Sequence, residues 1–183
     1  IDQIIPVPET AEFMIDAKEK EKEEKSKGKV ATETDKLLLD FWKQLKVQFS
    51  DNGVEYFTNV TPRAKFSMVF WKGQGRFGLF IGRNTLRVEL AFTHDSTKVL
   101  FDSMIKYKAE VETRFKDSLQ WDRLDAKKTS KIYLEMPQDL YDEYGMFKDK
   151  DSWEGKINWF EESIVKFYNA LYPTWEKVQK EIN

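Results

Sequence analysis

The chain has 183 residues, and its charged residues, 34% of the total, nearly cancel to a net charge of -2. That balance predicts no polyanion partner from global charge, while the length suffices for one domain with a real core. The absence of cysteine excludes disulfides, thiolate metal sites and a cysteine nucleophile, and it suits a reducing, cytoplasmic setting. Aromatic residues at 15% argue for a packed fold rather than disorder. The longest apolar runs are strand-sized and no signal peptide is visible, so no membrane span is expected. The chain starts at Ile1 rather than Met, which suggests a domain cut from a longer protein.

Residues 1–30 read as a charged linker. Pro6 and Pro8 disfavour regular structure, and Lys18 to Lys29 is nearly all lysine and glutamate. Phe13-Met14-Ile15-Asp16-Ala17-Lys18 has the shape of a strand ending in an acid-x-lysine half-motif, as metal-dependent nucleases use. Such a site needs a second carboxylate on a neighbouring strand, and nothing upstream supplies one.

Residues 31–183 read as a single α+β domain. A helix starts near Thr32 or Thr34, where Thr32-x-x-Asp35 resembles a capping box. Leu38, Phe41, Trp42, Leu45 and Phe49 form its apolar stripe, and Asn52-Gly53 marks its end.

Lys65 to Phe92 reads as a three-stranded antiparallel meander. A turn at Lys72 to Gly75 places Phe70 opposite Phe77, Met68 opposite Leu79 and Phe66 opposite Ile81. A two-residue turn at Arg83-Asn84 places Ile81 opposite Leu86, Leu79 opposite Val88 and Phe77 opposite Leu90. Both turns put the same residues of the middle strand on one face, whereas a one-residue slip would send them into water. The other face carries Lys65, Trp71, Arg76, Phe80, Arg87 and Glu89, with Gly78 and Gly82 in the middle strand. Glycine inside a central strand suggests a flat place approached closely, either by a helix of the same chain or by a partner.

A second helix follows Asp95 or Ser96, with Leu100, Met104, Tyr107, Val111 and Phe115 as one stripe. His94 reads as a loop or capping residue, since no nucleophile or second ligand is marked beside it. Leu119 to Leu124 and Lys131 to Met136 read as a hairpin, with Lys127, Lys128 and Thr129 at its turn and Pro137 at its end. A long C-terminal helix starts near Asp151 or Ser152, with an Asp151-x-x-Glu154 box. Its stripe runs through Trp153, Ile157, Phe160, Ile164, Phe167 and Leu171, and Pro173 is expected to kink or break it. The expected architecture is therefore a mostly antiparallel sheet of about five strands, a meander of three plus a hairpin, packed with three main helices.

Charge is distributed unevenly. Thr61 to Leu90 holds Arg63, Lys65, Lys72, Arg76, Arg83 and Arg87 against Glu89 alone, whereas Glu135 to Glu162 has nine acids and three lysines. The candidate nucleic-acid-binding residues are Lys65, Trp71, Arg76, Phe80 and Arg87, with the arginines expected to project outward. Cations there would meet phosphates and the aromatics would stack on unpaired bases. No catalytic residue, metal ligand or cofactor site stands out.

Several short words occur in a familiar order: Phe41-Trp42, Arg87-Val88-Glu89-Leu90, Leu100-Phe101-Asp102-Ser103-Met104, Lys108 to Glu112, Leu119-Gln120-Trp121-Asp122-Arg123-Leu124 and Lys131-Ile132-Tyr133-Leu134. Over residues 36 to 181 the chain resembles a prokaryotic family of domains of unknown function. That family typically forms the C-terminal domain of larger proteins, often behind a restriction-endonuclease-like nuclease module. It often has an acidic segment ending in glycine before the LQW strand, where this chain has Val111 to Asp117. The resemblance implies an upstream nuclease-like partner domain and a non-catalytic accessory role in a DNA-acting, restriction or defence protein, with DNA as a candidate partner. The alternative is a protein-protein interaction or dimerisation domain with no nucleic-acid contact.

Overall fold

The computed structural model describes residues 30–183. The linker expected over residues 1–30, with its Asp16 half-motif, lies outside the described residues apart from Val30. The described elements are α1 (Glu33–Asp51), β1 (Ser67–Lys72), β2 (Gly75–Ile81), β3 (Leu86–Phe92), α2 (Val99–Ile105), α3 (Lys108–Phe115), β4 (Gln120–Asp122), β5 (Ser130–Glu135), α4 (Gln138–Tyr144) and α5 (Trp153–Ile182). The fold is α+β, with one antiparallel sheet in the order β1-β2-β3-β5-β4.

The capping box at α1 forms as expected. Asp35 donates its N–H to Thr32 Oγ1 at 3.1 Å, and Thr32 donates its N–H to Asp35 Oδ2 at 2.9 Å. The helix ends at Asn52, and Gly53 takes φ +74°, a backbone region glycine enters without steric cost. The meander keeps the derived register: Met68 faces Leu79, Phe70 faces Phe77, Leu79 faces Val88 and Phe77 faces Leu90. Ile81 donates to the Phe66 carbonyl at 2.8 Å, which extends the same pairing. These side chains are buried in the core between the sheet and the helices. The core's spine is α5, which packs on β2 and β3 and touches each of the other helices.

Four details differ from the sequence reading, two of which raise the helix count from three to five. The second helix is two: α2 ends at Ile105, α3 starts at Lys108, and no glycine or proline marks the break. The stripe survives it, with Leu100, Met104, Val111 and Phe115 buried. Asp95 does cap α2, from a distance. Its carboxylate accepts the N–H groups of Leu100 and Phe101 at 3.1 and 3.0 Å and the Ser130 hydroxyl at 2.9 Å. Helix α4 is the second addition: a short amphipathic turn behind Pro137, with Tyr141 as its buried anchor.

The Asp151-x-x-Glu154 box does not form. A 3-10 turn at Lys150–Ser152 precedes α5, and Asp149 accepts the Asp151 N–H at 3.0 Å instead. Three consecutive carbonyls of the preceding loop are taken by side chains of this corner. Lys156 Nζ reaches Gly145, the Ser152 hydroxyl reaches Met146 at 2.9 Å, and Trp153 Nε1 reaches Phe147 at 2.7 Å. Finally, α5 runs unbroken through Pro173. Beside the proline, Arg114 Nη1 donates to the Ala170 carbonyl at 2.8 Å, and Nη2 donates to the Thr174 hydroxyl at 2.6 Å.

Candidate functional site

The outer face of the sheet turns away from α5. Strand alternation places Val69 and Trp71 of β1 there, with Arg76, Gly78 and Phe80 of β2 and Arg87, Glu89 and Ala91 of β3. Because β5 pairs with β3, Glu135 lies opposite Arg87, Tyr133 opposite Glu89 and Lys131 opposite Ala91.

Glu89 is the hub of this face. Its side chain is 1% exposed and accepts from Arg76 Nη2 at 3.2 Å, with Arg87 Nη1 at 3.7 Å from the other oxygen. Arg87, 3% exposed, also donates to Glu135 Oε1 at 2.5 Å, and its guanidinium lies 4.2 Å from the centre of the Tyr133 ring. Burial and the neighbouring Asp122 carboxylate hold the Tyr133 hydroxyl well above the usual phenol range. The Arg76 guanidinium sits 5.4 Å from the centre of the Phe80 ring.

The structure thus brings Arg76, Phe80 and Arg87 together, and Trp71 lies opposite Arg76 in the ladder. Lys65 stands at the other end of β1, where its backbone carbonyl accepts from Trp42 Nε1 at 2.7 Å. Only Trp71, 51% exposed, is open to solvent to the degree expected of the whole set. Phe80 and Arg87 are buried, and the arginines meet carboxylates rather than projecting freely. Gly78 has its own explanation: a Cβ there would lie 2.7 Å from both the Phe80 ring and Val69 Cγ1. The close approach is made by neighbours in the sheet.

Tyr133, Lys131 and Glu135 complete the network and are absent from the sequence-derived set. Their signal was the alternation of Lys131, Tyr133 and Glu135, which acquires meaning only once β5 lies beside β3.

Residues 37–174 match the family described as Domain of unknown function (DUF4268). The chain belongs to that family. No curated protein and no solved structure matches it. Lys116, at the end of α3 of this DUF4268 domain, takes φ +64°, a left-handed conformation that glycine adopts at least cost.

Two open clefts lie on other surfaces of the domain. One, of about 650 Å³, runs between the loop after α1 and α5 and includes Tyr56, Glu161 and Lys166. Its floor is fixed by Asn52 and Gln48, whose side-chain amides donate to Glu161 at 2.8 Å. The other, of about 560 Å³, lies between the β1–β2 turn and the end of α5, with Lys72, Tyr172 and Glu176 on its walls. Among the described residues no group of three histidine, cysteine, aspartate or glutamate side chains is placed to hold a metal ion. His94 is exposed on its loop. No described helix is long and apolar enough to cross a membrane.

Proposed function

We propose that this DUF4268 domain is a non-catalytic accessory module of a DNA-acting, nuclease-associated prokaryotic protein of the restriction or defence type. It works in the cytoplasm beside an upstream nuclease-like domain. Of its two candidate tasks, positioning DNA or positioning that partner module, the second is the better supported. The observation that carries this choice is the pairing of Arg76 and Arg87 with Glu89 and Glu135. Cations already neutralised by carboxylates have little net charge left for phosphates. The nuclease association itself rests on the resemblance of the ordered words.

One observation favours a DNA contact as a second reading. Trp71 is half exposed beside Arg76, and an exposed indole next to a cation suits stacking on an unpaired base.

The test is to express the upstream module separately and titrate it with this chain by calorimetry, in parallel with single-stranded and duplex DNA. Partner positioning predicts saturable binding to the module and only weak binding to DNA. Tight DNA binding with no affinity for the module would reverse the choice.

A further inference from the structure

Among the described residues the β1 strand is an edge of the sheet, with β2 on one side only. The bond from Ile81 N–H to the Phe66 carbonyl fixes the alternation of its backbone groups. Phe66, Met68 and Phe70 point theirs at β2. Ser67, Val69 and Trp71 turn theirs to the free edge, and no described residue hydrogen-bonds to them there. An unpaired row of this kind is a template for another strand unless something blunts it. Proline and bulges are both absent from β1, and a lysine stands only at its end.

The surroundings suit an incoming strand. On the outer side Trp71 is exposed. On the inner side three half-buried tyrosines form a row along the strand. Tyr56 stacks on Phe70 with centroids 5.8 Å apart, Tyr168 lies 4.4 Å from Tyr56, and Tyr172 stacks on Tyr168 at 4.8 Å. Alternate side chains of an added strand would meet the tyrosines on one side and Val69 and Trp71 on the other.

Charge selects the occupant. Arg63 and Lys65 precede β1 and Lys72 ends it. Antiparallel self-pairing centred on Val69 would set Lys72 of each copy opposite Phe66 of the other and gather Arg63, Lys65 and Lys72 of both copies at the two ends of the pair, where like charges repel. A strand with acids at its ends meets the opposite situation. We propose that β1 accepts an extended segment of a partner protein, apolar in alternation and acidic at its ends, as an added strand of the sheet. This rests on the reading of the domain as a module that positions a partner, and it names the surface used.

The test uses nuclear magnetic resonance on the full chain. The probes are two synthetic peptides of alternating valine and threonine, one flanked by glutamates and one by lysines. The glutamate peptide should shift the amides of Ser67, Val69 and Trp71 and slow their hydrogen exchange, and it should bind at least about tenfold tighter than the lysine peptide. Val69→Pro removes an outward N–H while leaving the ladder to β2 intact, so it should lower the affinity about tenfold, the effect of roughly one lost hydrogen bond. If that variant does not fold, Trp71→Glu serves instead and should reduce the preference for the glutamate peptide. Equal binding of both peptides, or shifts confined to other residues, overturns the proposal. So does a concentration-dependent dimer whose interface amides are those of Ser67 to Trp71, since that assigns the edge to a second copy. Binding of the upstream module with these amides unmoved overturns the edge site and keeps the partner reading. Failure of both module and peptide to bind overturns both.

Discussion

The indole Nε1 of Trp175 donates to the Lys72 carbonyl at 2.8 Å, tying the last turns of α5 to the first hairpin turn. The same indole lies over Gly75, where a Cβ would come within 2.8 Å of Nε1 and 3.0 Å of Leu90. Gly75→Ala should therefore overpack this corner and destabilise the fold by about 1–3 kcal/mol. Trp175→Phe keeps an aromatic ring beside Phe92 and loses the bond, at a cost of about 1 kcal/mol for the hydrogen bond alone, plus the lost ring volume. Urea unfolding of the two variants checks both values, and an unchanged midpoint for Gly75→Ala would mean that the indole moves aside freely.

Leu79 sits at the centre of β2 with Met68 and Val88 opposite it, and it is fully buried. Leu79→Ala should destabilise by about 2–5 kcal/mol, the usual cost of truncating a core leucine. A loss below about 0.5 kcal/mol, the scale of an ordinary surface change, would misassign the inward face.

Glu89→Ala removes the carboxylate that Arg76 and Arg87 share. Breaking a buried ion pair by removing one partner costs about 3–5 kcal/mol. Asp40→Ala removes the partner of Lys150, an exposed pair 3.4 Å apart, and should cost under about 1 kcal/mol. Thermal melts of the two variants compare them directly. Equal effects would mean that the outer-face network is solvated like the rim pair.

Lys156 is fully buried, its ammonium held by the Gly145 carbonyl over the Tyr141 ring, 4.3 Å from the ring centre. Burial pushes its pKa below the ordinary 10.5, with the Asp149 charge opposing the shift. Between the lowered folded value and 10.5 the unfolded chain keeps the proton and the folded chain releases it, so this group's contribution to stability rises with pH. Lys156→Met removes that rise. The stability of the wild type relative to Lys156→Met should therefore increase as pH climbs from neutral toward 10, as followed by urea unfolding at each pH. A constant difference would show that the lysine titrates alike in both states.

The meander was legible because two independent turns demanded one register and because alternation left no second solution. Helix α1 was legible from its capping box and its stripe. Helix α4 was not, because seven residues offer one buried anchor, Tyr141, and too short a stretch for a period. The break between α2 and α3 has no local marker, and Pro173 was over-read: it removes one N–H from a helix that packs on the sheet and on every other described helix. The outer face shows the limit most clearly. Arg87 reads as a solvent-facing cation in its own strand, whereas in the fold it meets Glu135 and Tyr133. Those residues arrive with β5, and local alternation says nothing about which strand becomes its neighbour.

The central claim is that the outer-face cations are spent within the sheet and leave the domain to position a partner rather than to grip DNA. Titration of the chain with duplex DNA across a range of salt concentrations tests it most directly. The account predicts a slope of log affinity on log salt no steeper than about -1, equivalent to a single phosphate contact. A slope near -3.6, the value for about four phosphates neutralised, would contradict it.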